Sequence, residues 1–229
     1  MELPAHIRAQ QYAAPAQLAQ ALAEDVAMWL RERINRQGRA CLLLSGGRSP
    51  IAFLQALSEQ VLPWASVQVS LVDERFVAPE EDGSNEALVR QYLLQGKACA
   101  AQFYPLYQPA ESLEAAVKKA DQAWNLSPDI VVLGMGEDGH CASLFSGNSS
   151  LEQALSLHAG NVVAMRAPQA PIERLSLTRQ ALAKAPYRVL AISGQAKLAT
   201  LEQALAGQDV QAMPVRAFLE DPLAIYWSP

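Results

Sequence analysis

Cysteine and histidine are scarce in this chain, with three of each among 229 residues. Cys41, Cys99 and Cys141 are scattered, and no two form a CxxC pair. That excludes a disulfide framework and a zinc-ribbon signature, and it fits a reducing, cytoplasmic compartment. No HxH, HxxxH or Cys/His pair offers metal-ligand spacing, so no metal is expected. No apolar run approaches the ~20 residues of a membrane span. The opening, MELPAHIRAQQYAAP, lacks a basic segment followed by an apolar one, so no signal peptide is expected. Charged residues make up 18% and the formal net charge is −5, which argues against nucleic acid as a partner. Anionic small molecules stay open, because a few local Arg and Lys side chains suffice to hold one. Repeats, low-complexity tracts and Pro-, Gly- or Ser-rich linkers are missing too. One domain over residues 1–229 is expected, with a small excursion around 95–110.

Apolar residues are plentiful. At 51% they supply a substantial core. Leu18, Leu22, Val26, Trp29, Leu30 and Ile34 recur at steps of three and four, which predicts a helix over 16–37 ended by Gly38. Residues 40–45 predict a buried strand. Ser49 is a candidate cap for a second helix with Pro50 at its first position. Val67, Val69 and Leu71 alternate with polar residues in a strand that ends at Asp73-Glu74-Arg75. Ser84 is a candidate cap for a helix to about Leu94, and a further helical face runs from Leu113 to Trp124. Strands are predicted over 129–133 and 187–192, a helix over 195–206, and a last, edge strand over 223–227. Alternating strands and helices predict an α/β fold, a mostly parallel sheet with helices on both faces.

Four apolar strands end in glycine or charge: LLLSGG, VSLVDER, DIVVLGMGEDGH and RVLAISG. Ligands of open parallel sheets bind beyond the carboxyl ends of the strands. Parallel strands would therefore bring Ser45-Gly46-Gly47, Asp73 to Arg75, Gly134 to His140, and Ser193 to Lys197 to one rim. The double glycine lets backbone approach a ligand closely. The helix after it offers free N–H groups and a positive dipole end.

GMGEDG over residues 134–139 fits the GxGxxG dinucleotide pattern, but the carboxylate expected about 20 residues on is missing from HAGNVV. The glycines lead instead to His140, two residues after Asp138. A carboxylate fixes the tautomer and orientation of an imidazole, so His140 is a candidate general base; the alternative is an ordinary surface histidine in an Asp-Gly turn. Arg75 and Arg174 are candidate anion ligands or plain surface charges. Lys197 sits in the first turn of a helix, where a cation opposes the dipole unless an anion binds there.

SGGRSP, VDERFVAPEEDGSN, LGMGEDGHCASLF, PIERLSLT and SGQAK, in this order and spacing, resemble the 6-phosphogluconolactonases. The resemblance runs from residue 16 to about 227. The wider group includes glucosamine-6-phosphate deaminases, within a Rossmann-like fold of the phosphosugar isomerase/CoA-transferase type. The resemblance implies hydrolysis of 6-phosphoglucono-δ-lactone in the pentose phosphate pathway, with no metal or organic cofactor. The partner is then a small phosphosugar lactone, and the chain is expected as a monomer or homodimer. By position, His140 matches the base, oriented by Asp138, with Asp73 and Arg75 lining the site. Ser45, Gly46, Gly47, Arg48, Asn85 and Gly136 match the substrate-cradling segments, and Arg174 and Lys197 the phosphate grip. Two positions depart from the family pattern: Arg48-Ser49 stands where Ser-Thr is usual, and Cys141 where Thr is usual. The deaminases carry a glutamate shortly after the DGH histidine; here the next carboxylate is Glu152. No GxSxG elbow is present, which points to direct attack by water rather than an acyl-enzyme. Two alternatives remain: a deaminase-like enzyme and a non-catalytic phosphosugar sensor.

Overall fold

The computed structural model describes residues 3–229. In chain order the strands are β1 (Ile7–Gln11), β2 (Ala40–Leu44), β3 (Val67–Leu71), β4 (Asp73–Arg75), β5 (Gln102–Phe103), β6 (Ile130–Leu133), β7 (Val162–Arg166), β8 (Glu173–Leu177), β9 (Tyr187–Ser193) and β10 (Leu223–Ser228). The helices are α1 (Pro15–Gln37), α2 (Ile51–Ser58), α3 (Asn85–Tyr92), α4 (Leu113–Ala123), α5 (Leu151–Leu155), α6 (Arg179–Ala183), α7 (Gln195–Leu205) and α8 (Arg216–Leu219).

Seven strands form one parallel sheet in the order β1-β10-β9-β6-β2-β3-β5, flanked by helices. Every residue of β2 and β6 is buried, as expected of central parallel strands covered on both faces. α1 ends at Gly38, and Ser84 and Ser112 cap α3 and α4 through their side chains. Residues 95–110 include β5, which pairs with β3 at one edge of the sheet. No helix among the described residues is long and apolar enough to cross a membrane.

Three expectations are corrected. Residues 223–227 are not an edge strand: β10 lies between β9 and β1, and the edge is Ile7–Gln11. That strand escapes notice because only Ile7 of its five residues is buried, so it carries no apolar alternation. Ser49 does not cap α2. Pro50 takes the N-cap in a helical conformation, and no side chain bonds the helix end. Asp73-Glu74-Arg75 is not the tail of β3 but a separate strand. The chain leaves the parallel sheet at Val72, whose N–H donates to the Leu44 carbonyl. It then joins a second, antiparallel sheet of order β4-β8-β7.

Candidate active site

The carboxyl ends of β2, β6 and β9 and the start of β4 open onto one cleft of about 830 Å³. The order β9-β6-β2-β3 makes the four strand ends neighbours, so the rim expected from the sequence exists. The small antiparallel sheet stands beside it and delivers Asp73, Arg75 and Arg174 to the cleft wall.

Ser45, Gly46 and Gly47 line the cleft. The Ser45 hydroxyl is not free. It donates to the Val132 carbonyl at 3.0 Å and accepts from Gly134 N–H at 3.0 Å, tying the ends of β2 and β6 together. Each glycine has its own reason. A Cβ on Gly46 would overlap the Asn85 carboxamide, and Gly47 has φ +92°, the left-handed region that side chains disfavour. Arg48 is exposed and lies outside the cleft lining, whereas Ser49 lines it. The hydroxyl that borders the cleft after the double glycine is therefore that of Ser49.

The Gly136–His140 loop folds back on itself. Gly136 N–H donates to the His140 carbonyl at 3.0 Å, and Gly139 N–H donates to the Gly136 carbonyl at 3.1 Å. This turn aims both functional side chains the same way. His140 Nδ1 lies 2.5 Å from Asp138 Oδ1, and the ring packs on Phe145 with centroids 4.4 Å apart. The bond from His140 holds the Asp138 carboxyl below its usual range. An Nδ1–H donated to this carboxylate would fix the tautomer and leave Nε2 as the free ring nitrogen. A Cβ on Gly136 would overlap the imidazole, which explains the second glycine of GMGEDG without a dinucleotide. Cys141 points away into the core. Its thiol donates to the Gly134 carbonyl at 3.0 Å, and burial pushes it up to about 12, far from a nucleophile at neutral pH.

Asp73 is buried and accepts from the Ser143 hydroxyl at 2.6 Å. Arg174 is buried as well, with Nε donating to the Pro171 carbonyl at 2.8 Å. Burial, and next the nearby Arg75, lower its affinity for its proton. Arg75 donates through Nη1 to the Gly83 carbonyl, while its buried Nε has no partner among the described residues. Lys197 lines the cleft from the first turn of α7, a helix with no acidic residue in that turn and no side-chain cap. Three cations thus border the cleft, in a protein whose net charge is negative. Asp73, Glu137 and Asp138 line it as well, so the cleft presents charges of both signs.

Asn85 also borders the cleft; its Oδ1 has no partner among the described residues, while its NH₂ group is a brace. Nδ2 donates to the Asp73 carbonyl at 2.9 Å, and the other side packs on Gly46. Two further contributors escape a reading of the sequence. Ser143 lies within LGMGEDGHCASLF, but nothing in that stretch singles it out as the partner of Asp73. Glu74 carries a signal: in a strand, Asp73 and Arg75 face one side and the residue between them faces the other. Among the described residues, no three His, Cys, Asp or Glu side chains converge to hold a metal ion.

The pattern described as "Glucosamine-6-phosphate isomerases/6-phosphogluconolactonase" matches residues 13–227. The chain belongs to this family. Among family members, the chain is 50% identical to a 6-phosphogluconolactonase of Pseudomonas putida, with 100% of this chain and 96% of that protein covered. It is 48% identical to one of Pseudomonas aeruginosa, with 100% and 98% covered. A crystal structure of a 6-phosphogluconolactonase from Shewanella baltica superposes with a TM-score of 0.94 at 35% identity, covering both chains fully. A monomeric glucosamine-6-phosphate deaminase shares the fold, with a TM-score of 0.81 at 17% identity, covering 96% of this chain and 97% of that one.

Proposed function

We propose that this protein hydrolyses 6-phosphoglucono-δ-lactone to 6-phosphogluconate as a step of the pentose phosphate pathway, in the cytoplasm. The observation that carries the reading is the Asp138–His140 pair, set at the mouth of a cleft bordered by Arg75, Arg174 and Lys197. Similarity to lactonases along the whole chain supports it.

Each step follows from a group in place. Arg174 and Lys197 hold the phosphate, and that remote binding energy orients the ring ester. His140 Nε2 takes a proton from water as the oxygen attacks the lactone carbonyl, a contribution of roughly 10²–10⁴-fold. Asp138 holds the imidazolium that results. Arg75 and the backbone N–H groups of the glycine loops face the charge that grows on the carbonyl oxygen, each donor contributing roughly 10²–10³-fold. His140 then returns its proton to the ring oxygen as the C–O bond breaks. The deaminase reading lacks its carboxylate, since residues 141–151 contain neither Asp nor Glu. The test is turnover of freshly prepared lactone, measured as acid release above the spontaneous rate.

A further inference from the structure

Glu74 is fully buried between two cleft residues of β4, and its carboxylate accepts four hydrogen bonds. Oε1 accepts from Arg75 N–H at 2.8 Å and Asn85 N–H at 2.7 Å. Oε2 accepts from Glu86 N–H at 2.7 Å and the Ser84 hydroxyl at 3.3 Å. These donors come from β4 itself and from the free N-terminal turn of α3. A carboxylate at a helix start is favourable in its own right. This one does more, because the elements it joins carry cleft residues. Arg75 is on one side of the clamp. On the other is Asn85, which grips the Asp73 carbonyl and backs Gly46.

We propose that Glu74 is a positioning residue of the lactonase centre: its carboxylate locks β4 to the start of α3, and so fixes Arg75, Asp73 and the Gly46 loop against the substrate. Glu74 touches no substrate itself. The inference rests on the lactonase reading above.

The ionised form suits the clamp best, because three of its four partners are backbone N–H groups that can only donate. Burial raises the Glu74 carboxyl to about 7, with Asp73 adding to the rise. The charged and polar groups around it are Asp73 and Arg75 on its own strand, Arg174 across the ladder, and Ser84 and Glu86 on α3. Glu86 is itself engaged by Arg90 at 2.8 Å.

The experiment is a double-variant cycle on the full chain, with Glu74→Gln, Arg75→Ala and both together. Folding is checked by circular dichroism and melting temperature, and 6-phosphogluconate binding is measured by calorimetry alongside lactone turnover. The glutamine of E74Q keeps the size but presents an NH₂ group to N–H donors. We expect E74Q to remain folded and to lose about 10- to 100-fold in kcat/KM, the size of coupling found between neighbours in one network. The double variant should then fall no more than about threefold below R75A, because Arg75 is the group the clamp holds most directly and only the effect through Asp73 and the Gly46 loop is left to lose. Additive losses, or an E74Q variant with parental kcat/KM, overturn the proposal. A second variant, Glu74→Asp, keeps the charge but withdraws it from α3, and should show the same coupling to Arg75. Failure of both Glu74 variants to fold would assign the residue to stability alone and also overturn the proposal. Parental turnover separately tests the lactonase reading, and the calorimetric cycle tests Glu74 without it.

Discussion

Arg75 and Arg174 stand opposite each other as Cα partners in the antiparallel ladder of β4 and β8. Like charges placed directly opposite in a sheet destabilise it. Carbonyl oxygens of Gly83 and Pro171 engage the two guanidiniums, but carbonyls do not neutralise them. A bound anion does. This pair shows that the antiparallel sheet is as much part of the site as the parallel one.

Arg174→Ala and Lys197→Ala are therefore expected to impair the phosphorylated lactone far more than plain gluconolactone. A charge-assisted hydrogen bond contributes about 1.5–3 kcal/mol, or roughly 10- to 150-fold in preference. Added 6-phosphogluconate should raise the melting temperature of the parent and barely that of either variant, since ligand stabilisation follows affinity. If both variants keep the parent's preference, the phosphate is held elsewhere on the rim.

His140→Ala should fold normally and lose roughly 10²–10⁴-fold in kcat, the range for a general base. Asp138→Asn should also lower kcat, because His140 remains but its tautomer is no longer imposed. Both are checked by steady-state kinetics with the spontaneous rate subtracted. Near-parental kcat in H140A would remove the imidazole from the chemistry.

Gly136→Ala tests the packing beneath that pair. The added methyl would overlap the His140 ring and the Asp138 carboxylate, so the imidazole must move. A displacement of about 1 Å costs on the order of 10²-fold in rate. The expected result is that loss in kcat with product binding retained, because Arg174 and Lys197, proposed to hold the phosphate, lie on other elements.

Much of this was legible in the sequence, for physical reasons. Buried parallel strands are near-continuous apolar runs, so LLL and IVVL announce themselves, and the glycines after them mark the rim. The missed parts lack such signals. Ile7–Gln11 is an edge strand with four exposed residues. Asp73-Glu74-Arg75 is three polar residues whose strand character comes from pairing with residues about a hundred positions later. Arg48 draws attention as a cation beside two glycines, but Gly47's left-handed turn leaves it on the outside and brings Ser49 to the cleft. His140 and Asp138 were legible because a two-residue spacing inside a tight glycine turn brings their side chains together.

Glu74 also leaves a signature in stability against pH. Its folded value, about 7, lies above its ordinary value of 4.5. Between those values the folded protein holds a proton that the unfolded chain releases, so stability falls as pH rises through this window. The effect is at most about 3 kcal/mol, since each tenfold change in proton affinity corresponds to about 1.36 kcal/mol. Glu74→Gln removes the titration. The stability of the parent relative to E74Q should therefore decline from about pH 5 to about pH 8 in denaturant unfolding. A constant difference across that range would contradict a raised Glu74.

The most direct measurement is hydrolysis of freshly made 6-phosphoglucono-δ-lactone by the parent and by H140A, at equal concentration and against the uncatalysed rate. A water-activating His140 predicts rapid opening by the parent to 6-phosphogluconate, with H140A lower by roughly 10²–10⁴-fold. A parent that binds the product yet opens the lactone no faster than buffer would contradict it, and would leave the fold as a phosphosugar sensor.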